Sequence, residues 1–128
     1  MERDVYSCHL KRFGEENRNT IRAASNYAAS LVMLKRSKEA KALFRKMIPI
    51  ARRVLGEGND IVLGMRTNYG RALCQCRDAT LDDIREAVAT LEETERTARR
   101  VLGGAHPIVE RTGECLRSAR TILDASDR

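Results

Sequence analysis

Residues 40–55 read Ala-Lys-Ala-Leu-Phe-Arg-Lys-Met-Ile-Pro-Ile-Ala-Arg-Arg-Val-Leu. Ala40, Leu43, Phe44, Met47, Ile48, Ala51, Val54 and Leu55 fall at i, i+3, i+4, i+7, i+8, i+11, i+14 and i+15, one apolar stripe at helical period. No strand-like alternation competes with it. Gly56 follows and suits the position just past a helix end. Pro49 is the misfit, because inside a helix it removes a backbone hydrogen bond at a cost of about 3 kcal/mol, so a kink is expected there.

The closing residues of that stretch, Arg52 to Leu55, recur as Arg99 to Leu102, and the chain repeats around them. Gly14, Gly56 and Gly103 each follow an apolar residue (Phe13, Leu55, Leu102), at intervals of 42 and 47 positions. Ala87 pairs with Ala40, and Asn68-Tyr69 with Asn26-Tyr27, so the five extra residues of the second interval are expected in a loop near 77–83. The counterpart helix carries Ile84, Ala87, Val88, Leu91, Ala98, Val101 and Leu102. A shorter helix precedes each, marked by Ile21, Ala24, Tyr27, Ala28 and Leu31, then by Val62, Met65, Tyr69, Ala72, Leu73 and Cys76. Small residues beside large ones let helices pair closely. Asn59 with Asp60 suits a cap and first turn, Thr80 to Asp83 reads as a capping box, and Pro107 after His106 suits a helix start.

Four segments follow: a lone helix in 1–13, helix pairs in 14–55 and 56–102, and a capping helix in 103–128. In the last, Ile108, Thr112, Cys115, Ala119, Ile122 and Leu123 share one side. Arg117 and Arg120 stand where the earlier units have Ala28/Gly70 and Leu31/Leu73, so a polar outer face closes the array. The first helix carries Val5, Tyr6, His9, Leu10 and Phe13 without a partner; either a longer solenoid continues there or two copies pair through it.

A two-helix unit of this size cannot bury its apolar face alone. The pattern resembles the tetratricopeptide repeats of the kinesin light chain type over about residues 14–123, with Tyr27, Ala28, Leu31, Ala40 and Phe44, then Tyr69, Gly70, Leu73, Ala87 and Leu91, on framework positions. The resemblance implies an all-α fold, a short right-handed α-solenoid of antiparallel helix pairs with about six helices. It also implies a concave groove, lined by the first helix of each pair, that holds an extended peptide. Carried over by position, Arg22, Gly64 and Arg111 correspond, as do Asn26, Asn68 and Cys115, and Ala29, Arg71 and Ser118. The candidate peptide-binding residues are Arg22, Asn26, Asn68, Arg71 and Arg111, with Met33 and Gln75 one turn further along. Asn is a poor helix former, so its recurrence in one register is informative. Its amide can clasp a peptide backbone through donor and acceptor, and Arg captures carboxylates bidentately, so an acidic segment is expected. Asn26 and Asn68 would equally suit hydrogen bonds to the adjoining helix, and the arginines would equally suit open solvent.

The 128 residues hold 24 basic and 18 acidic side chains, 42% apolar residues and no Trp, which fits one compact domain or a short repeat array and excludes a disordered chain. Residues 1–55 carry 13 basic and 5 acidic residues, against 11 and 13 in 56–128. The basic half, with Lys35, Arg36, Lys38, Lys41, Arg45 and Lys46, suits an acidic protein, nucleic acid or an anionic membrane surface. Five aromatics, three of them on core positions, and the lack of a base-reading motif argue against nucleic acid.

Met1 precedes Glu2, Arg3 and Asp4, unlike a signal peptide, and no apolar run could span a membrane, so free thiols and a cytoplasmic location are expected. Cys74 and Cys76 lie two apart, about 200° around a helix, with no second ligand pair, so they and Cys8 and Cys115 are expected as buried small hydrophobes and no metal or other cofactor is expected. His9 and His106 lack a paired carboxylate pattern, no phosphate-binding loop appears, and Gly56-Glu-Gly58 is only a fragment of a dinucleotide fingerprint. A non-enzymatic interaction module is expected, or a scaffold that self-associates through its open edge.

Overall fold

The computed structural model describes residues 2–126, so Met1 and the last two residues of the 103–128 segment lie outside the described residues. Six helices account for them: α1 (Glu2–Phe13), α2 (Arg18–Met33), α3 (Ser37–Leu55), α4 (Asp60–Gln75), α5 (Leu81–Leu102) and α6 (Pro107–Ser126), with no strand among the described residues. The chain is all-α, as its periodicity requires.

The helix ends follow side-chain chemistry. Asn17 Oδ1 accepts from the Asn19 and Thr20 amides at 2.8 and 3.3 Å, and Asn59 Oδ1 from the Ile61 amide at 2.8 Å, satisfying donors a helix leaves unpaired. Thr80 and Asp83 form a reciprocal capping box. Gly56 and Gly103 close α3 and α5 with φ of +89° and +85°, where an L side chain would be strained. α3 runs through Pro49 without ending, and that residue sits on its exposed face.

The surplus of the second pair is divided and is not all loop. The α4–α5 connection 76–80 has five residues against three in 34–36, and α5 has 22 residues against 19 in α3. Leu81 to Asp83 thus add a helical turn, because Thr80 caps them.

Each helix packs on its neighbour in the chain, and α4 also packs on both α2 and α6. α3 and α5 make no close backbone approach and meet through side chains, Arg45 reaching Glu86 across the gap. A row joined along α2, α4 and α6, with α3 and α5 splayed apart behind it, gives the stack an inner and an outer side. The main core joins Ile21, Leu31, Phe44, Met47, Val62, Met65 and Leu73 from α2, α3 and α4; each such side chain contributes about 1.5–3 kcal/mol on burial. Tyr6 of α1 reaches into it, its ring 6.0 Å from that of Tyr27. Two smaller clusters, Leu63–Ala98–Val109 and Leu91–Leu116–Ala119, hold α6. Gly70 lets α5 approach α4, since a Cβ there would lie 2.6–2.9 Å from three carbons of Leu91.

At the α4–α6 contact the Thr67 and Thr112 hydroxyls meet at 2.7 Å, and each also reaches a carbonyl of its own helix, Leu63 at 2.9 Å and Ile108 at 2.6 Å.

The four thiols are free, but they are not alike. Cys76 is buried as expected and Cys74 and Cys115 are half-buried, whereas Cys8 is exposed. The expectation of a buried Cys8 fails because α1 turns Tyr6, and not Cys8, toward α2.

Candidate functional site

The residues expected to line a groove lie on the three helices of the inner row. Arg22 and Asn26 are exposed on α2, Arg71 is exposed and Asn68 half-buried on α4, and Arg111 is exposed on α6. Arg111 lies over α4: its Nη2 would be 3.9 Å from a Cβ at Gly64. Arg71 and Arg111 both act on Cys115, favouring its thiolate, while burial, the larger effect, pushes the thiol pKa up. Cys74 beside it is pushed up to about 11, first by burial and then by Cys115, so both stay protonated and unreactive near neutrality.

The other candidates are dispersed. Asn26 lines a separate hollow of about 300 Å³ with Glu2, Val5 and Ala23, between α1 and α2. Gln75 Oε1 accepts from the Ser37 hydroxyl at 3.4 Å, which ties the end of α4 to the start of α3. Met33 is 74% exposed at the end of α2.

Most of the basic run 35–46 is already matched. Arg36 pairs with Glu39 at 2.7 Å, Lys38 with Asp78 at 2.7 Å, Arg45 with Glu86 at 3.4 Å and Lys46 with Glu15 at 3.0 Å. The hydrogen bond between Lys38 and Asp78 raises the pKa of the lysine and lowers that of the aspartate. These contacts blunt the positive field that residues 1–55 suggest. His106 takes a structural part, its Nδ1 accepting from the Ile108 amide at 3.1 Å. No group of three or more metal-binding side chains, and no helix long and apolar enough to cross a membrane, occurs among the described residues.

One charged residue that the sequence reading passed over is Arg66 of α4. It is 4% exposed, its Nη2 lies 3.0 Å from Glu93 Oε2, and its Nη1 is buried with no hydrogen-bond partner among the described residues. A guanidinium cannot shed its charge, and a buried donor left unpaired costs about 1–3 kcal/mol or more. The repeat register held the signal: 42 positions earlier stands Ala24 and 47 later Gly113, both buried, so an arginine there is out of pattern. One turn on, the Tyr69 hydroxyl accepts from Arg45 Nε at 2.9 Å and donates to Glu86. Burial, and then Glu86, raises the pKa of Tyr69.

Residues 20–60, which span α2 and α3, match the model of the tetratricopeptide repeat family. Comparison with curated proteins finds no match.

Proposed function

With a tetratricopeptide repeat at residues 20–60, this is a tetratricopeptide repeat protein, a kind of module that mediates protein–protein interaction, and we propose that it binds an extended, acidic peptide segment of a partner along the inner row of α2, α4 and α6. The α4–α5 pair is read as a second repeat of the same kind, on the identities at 52–55 and 99–102 and at Asn26-Tyr27 and Asn68-Tyr69. The observation that carries the proposal is the exposure of Arg22, Arg71 and Arg111 on three helices packed side by side. Guanidinium groups carried by three adjacent helices would match carboxylates spaced along a strand-like peptide, and Asn68 on the middle helix would supply an amide for its backbone. The function is non-enzymatic. So short a row supports micromolar affinity.

The test is binding of a library of acidic decapeptides to the wild type and to the Asn68→Ala, Arg71→Ala double variant. The double variant should lose at least about tenfold in affinity, about 1.4 kcal/mol. Unchanged affinity overturns the proposal. A second reading, pairing of two copies through α1, draws on Val5 and Phe13, which are 45% and 49% exposed.

A further inference from the structure

Because α3 and α5 splay apart behind α4, a cleft of about 290 Å³ opens between them on the outer side, with Arg66 and Tyr69 of α4 in its floor. Phe44, Ile48 and Pro49 give it an apolar wall. Arg45, Arg52 and Arg66 bring three guanidinium groups to it, and Glu93 is the one carboxylate in its lining. None of these residues is among the groove candidates Arg22, Asn26, Met33, Asn68, Arg71, Gln75 and Arg111.

We propose that this cleft binds a carboxylate carried on an apolar body, and that Glu93 holds Arg66 as an internal stand-in until that carboxylate arrives. The guanidinium fork is made for two parallel N–H···O bonds to one carboxylate. Glu93 meets it through a single Nη2 contact at 3.0 Å and leaves Nη1 without a partner. The Glu93 side chain is 52% exposed, so it can swing into water, and the cost of its leaving falls on Arg66, whose buried charge then needs a new partner. Arg45 already faces Glu86 and Arg52 faces Glu57, so the departure of Glu93 leaves Arg66 as the unmatched cation of the cleft, a charge that an incoming anion balances. The wall of Phe44, Ile48 and Pro49 selects against bare inorganic phosphate, which would desolvate beside it without return. An acid with an aryl or alkyl body satisfies both walls, whether it is a free organic acid or the C-terminal carboxylate of a polypeptide ending in an apolar residue.

Amide chemical shifts of the full chain report the site. Two acids serve as probes, 4-phenylbutyrate and the peptide acetyl-Gly-Ser-Phe with a free C-terminus, each compared with its neutral primary amide. Shifts confined to the amides of residues 44–48, 50–52, 66–69 and 90–93, for either acid and for neither amide, are the expected result, and which acid binds assigns the source. Glu93→Gln keeps the shape and removes the competitor, so it should lower Kd roughly three- to tenfold. Arg52→Gln, on a partly exposed side chain, should raise it. Equal response to acid and amide overturns the proposal, as do shifts confined to the inner row or an affinity that Glu93→Gln weakens or leaves unchanged. An absence of cleft shifts in both wild type and Glu93→Gln overturns it too.

Discussion

Gly64 and Gly70 sit on the same helix and face different neighbours. A Cβ at Gly70 would press on Leu91 at 2.6 Å, whereas at Gly64 it would meet only Arg111 Nη2 at 3.9 Å, ordinary contact distance. Gly70→Ala should therefore destabilise the fold by about 1–3 kcal/mol through overpacking, while Gly64→Ala should stabilise it by up to about 1 kcal/mol, since alanine loses less freedom in a helix. Urea midpoints of the two variants check both signs. At this scale the sequence was legible wherever a residue type has one use: Phe44 and Met47 are core because nothing else suits them there. Arg66 is not legible from its type, since arginine is usually exposed, and only its register against the buried Ala24 and Gly113 marks it as out of pattern. Cys8 misled for the opposite reason: free cysteine is a frequent core residue, but this one falls on the outward side of α1.

At the level of elements, the start of α5 rests on Thr80 and Asp83. The Asp83 amide donates to Thr80 Oγ1 at 3.1 Å, and the Thr80 amide donates to Asp83 Oδ2 at 3.0 Å. Thr80→Ala should cost about 1 kcal/mol in urea denaturation. The bond from the Thr80 backbone holds the Asp83 carboxylate below its ordinary value of 3.8. A pKa lower in the folded than in the unfolded chain stabilises above the unfolded value and is lost as pH falls through the folded one. The stability gap between wild type and Asp83→Asn should therefore be constant near neutrality and narrow below about pH 4. The same cap explains why the surplus of the second pair is not all loop: identity with the first pair gives Leu81 to Asp83 no counterpart, and a good cap ahead of Leu81 extends the helix upstream through them.

For the molecule as a whole, packing is local and uneven. α4 packs on α2, α3, α5 and α6, whereas α1 packs along α2 and reaches α3 only through Tyr6 at Met47. Repeat stacks open where nearest-neighbour contacts are fewest. Native-state hydrogen exchange should be slowest in the middle of α4 and fastest in α1, by about tenfold or more; equal protection across the six helices would contradict that order. The helix faces were legible because apolar period is written in single residues. The splay of α3 from α5 was not, because it depends on how side chains such as Gly70 and Leu91 set the spacing of whole helices. That splay opens a part-apolar cleft behind α4, away from the exposed Arg71 of the same helix.

The threonine pair between α4 and α6 carries a last implication. Two hydroxyl groups own two protons, yet three short oxygen contacts run through Thr67 and Thr112. Whichever threonine spends its proton on the other forgoes its own carbonyl, so either Leu63 or Ile108 is left without a hydroxyl donor at any instant. The joint thus has two mirror-like bookings of the same atoms, and it fastens the helices whichever way the link runs.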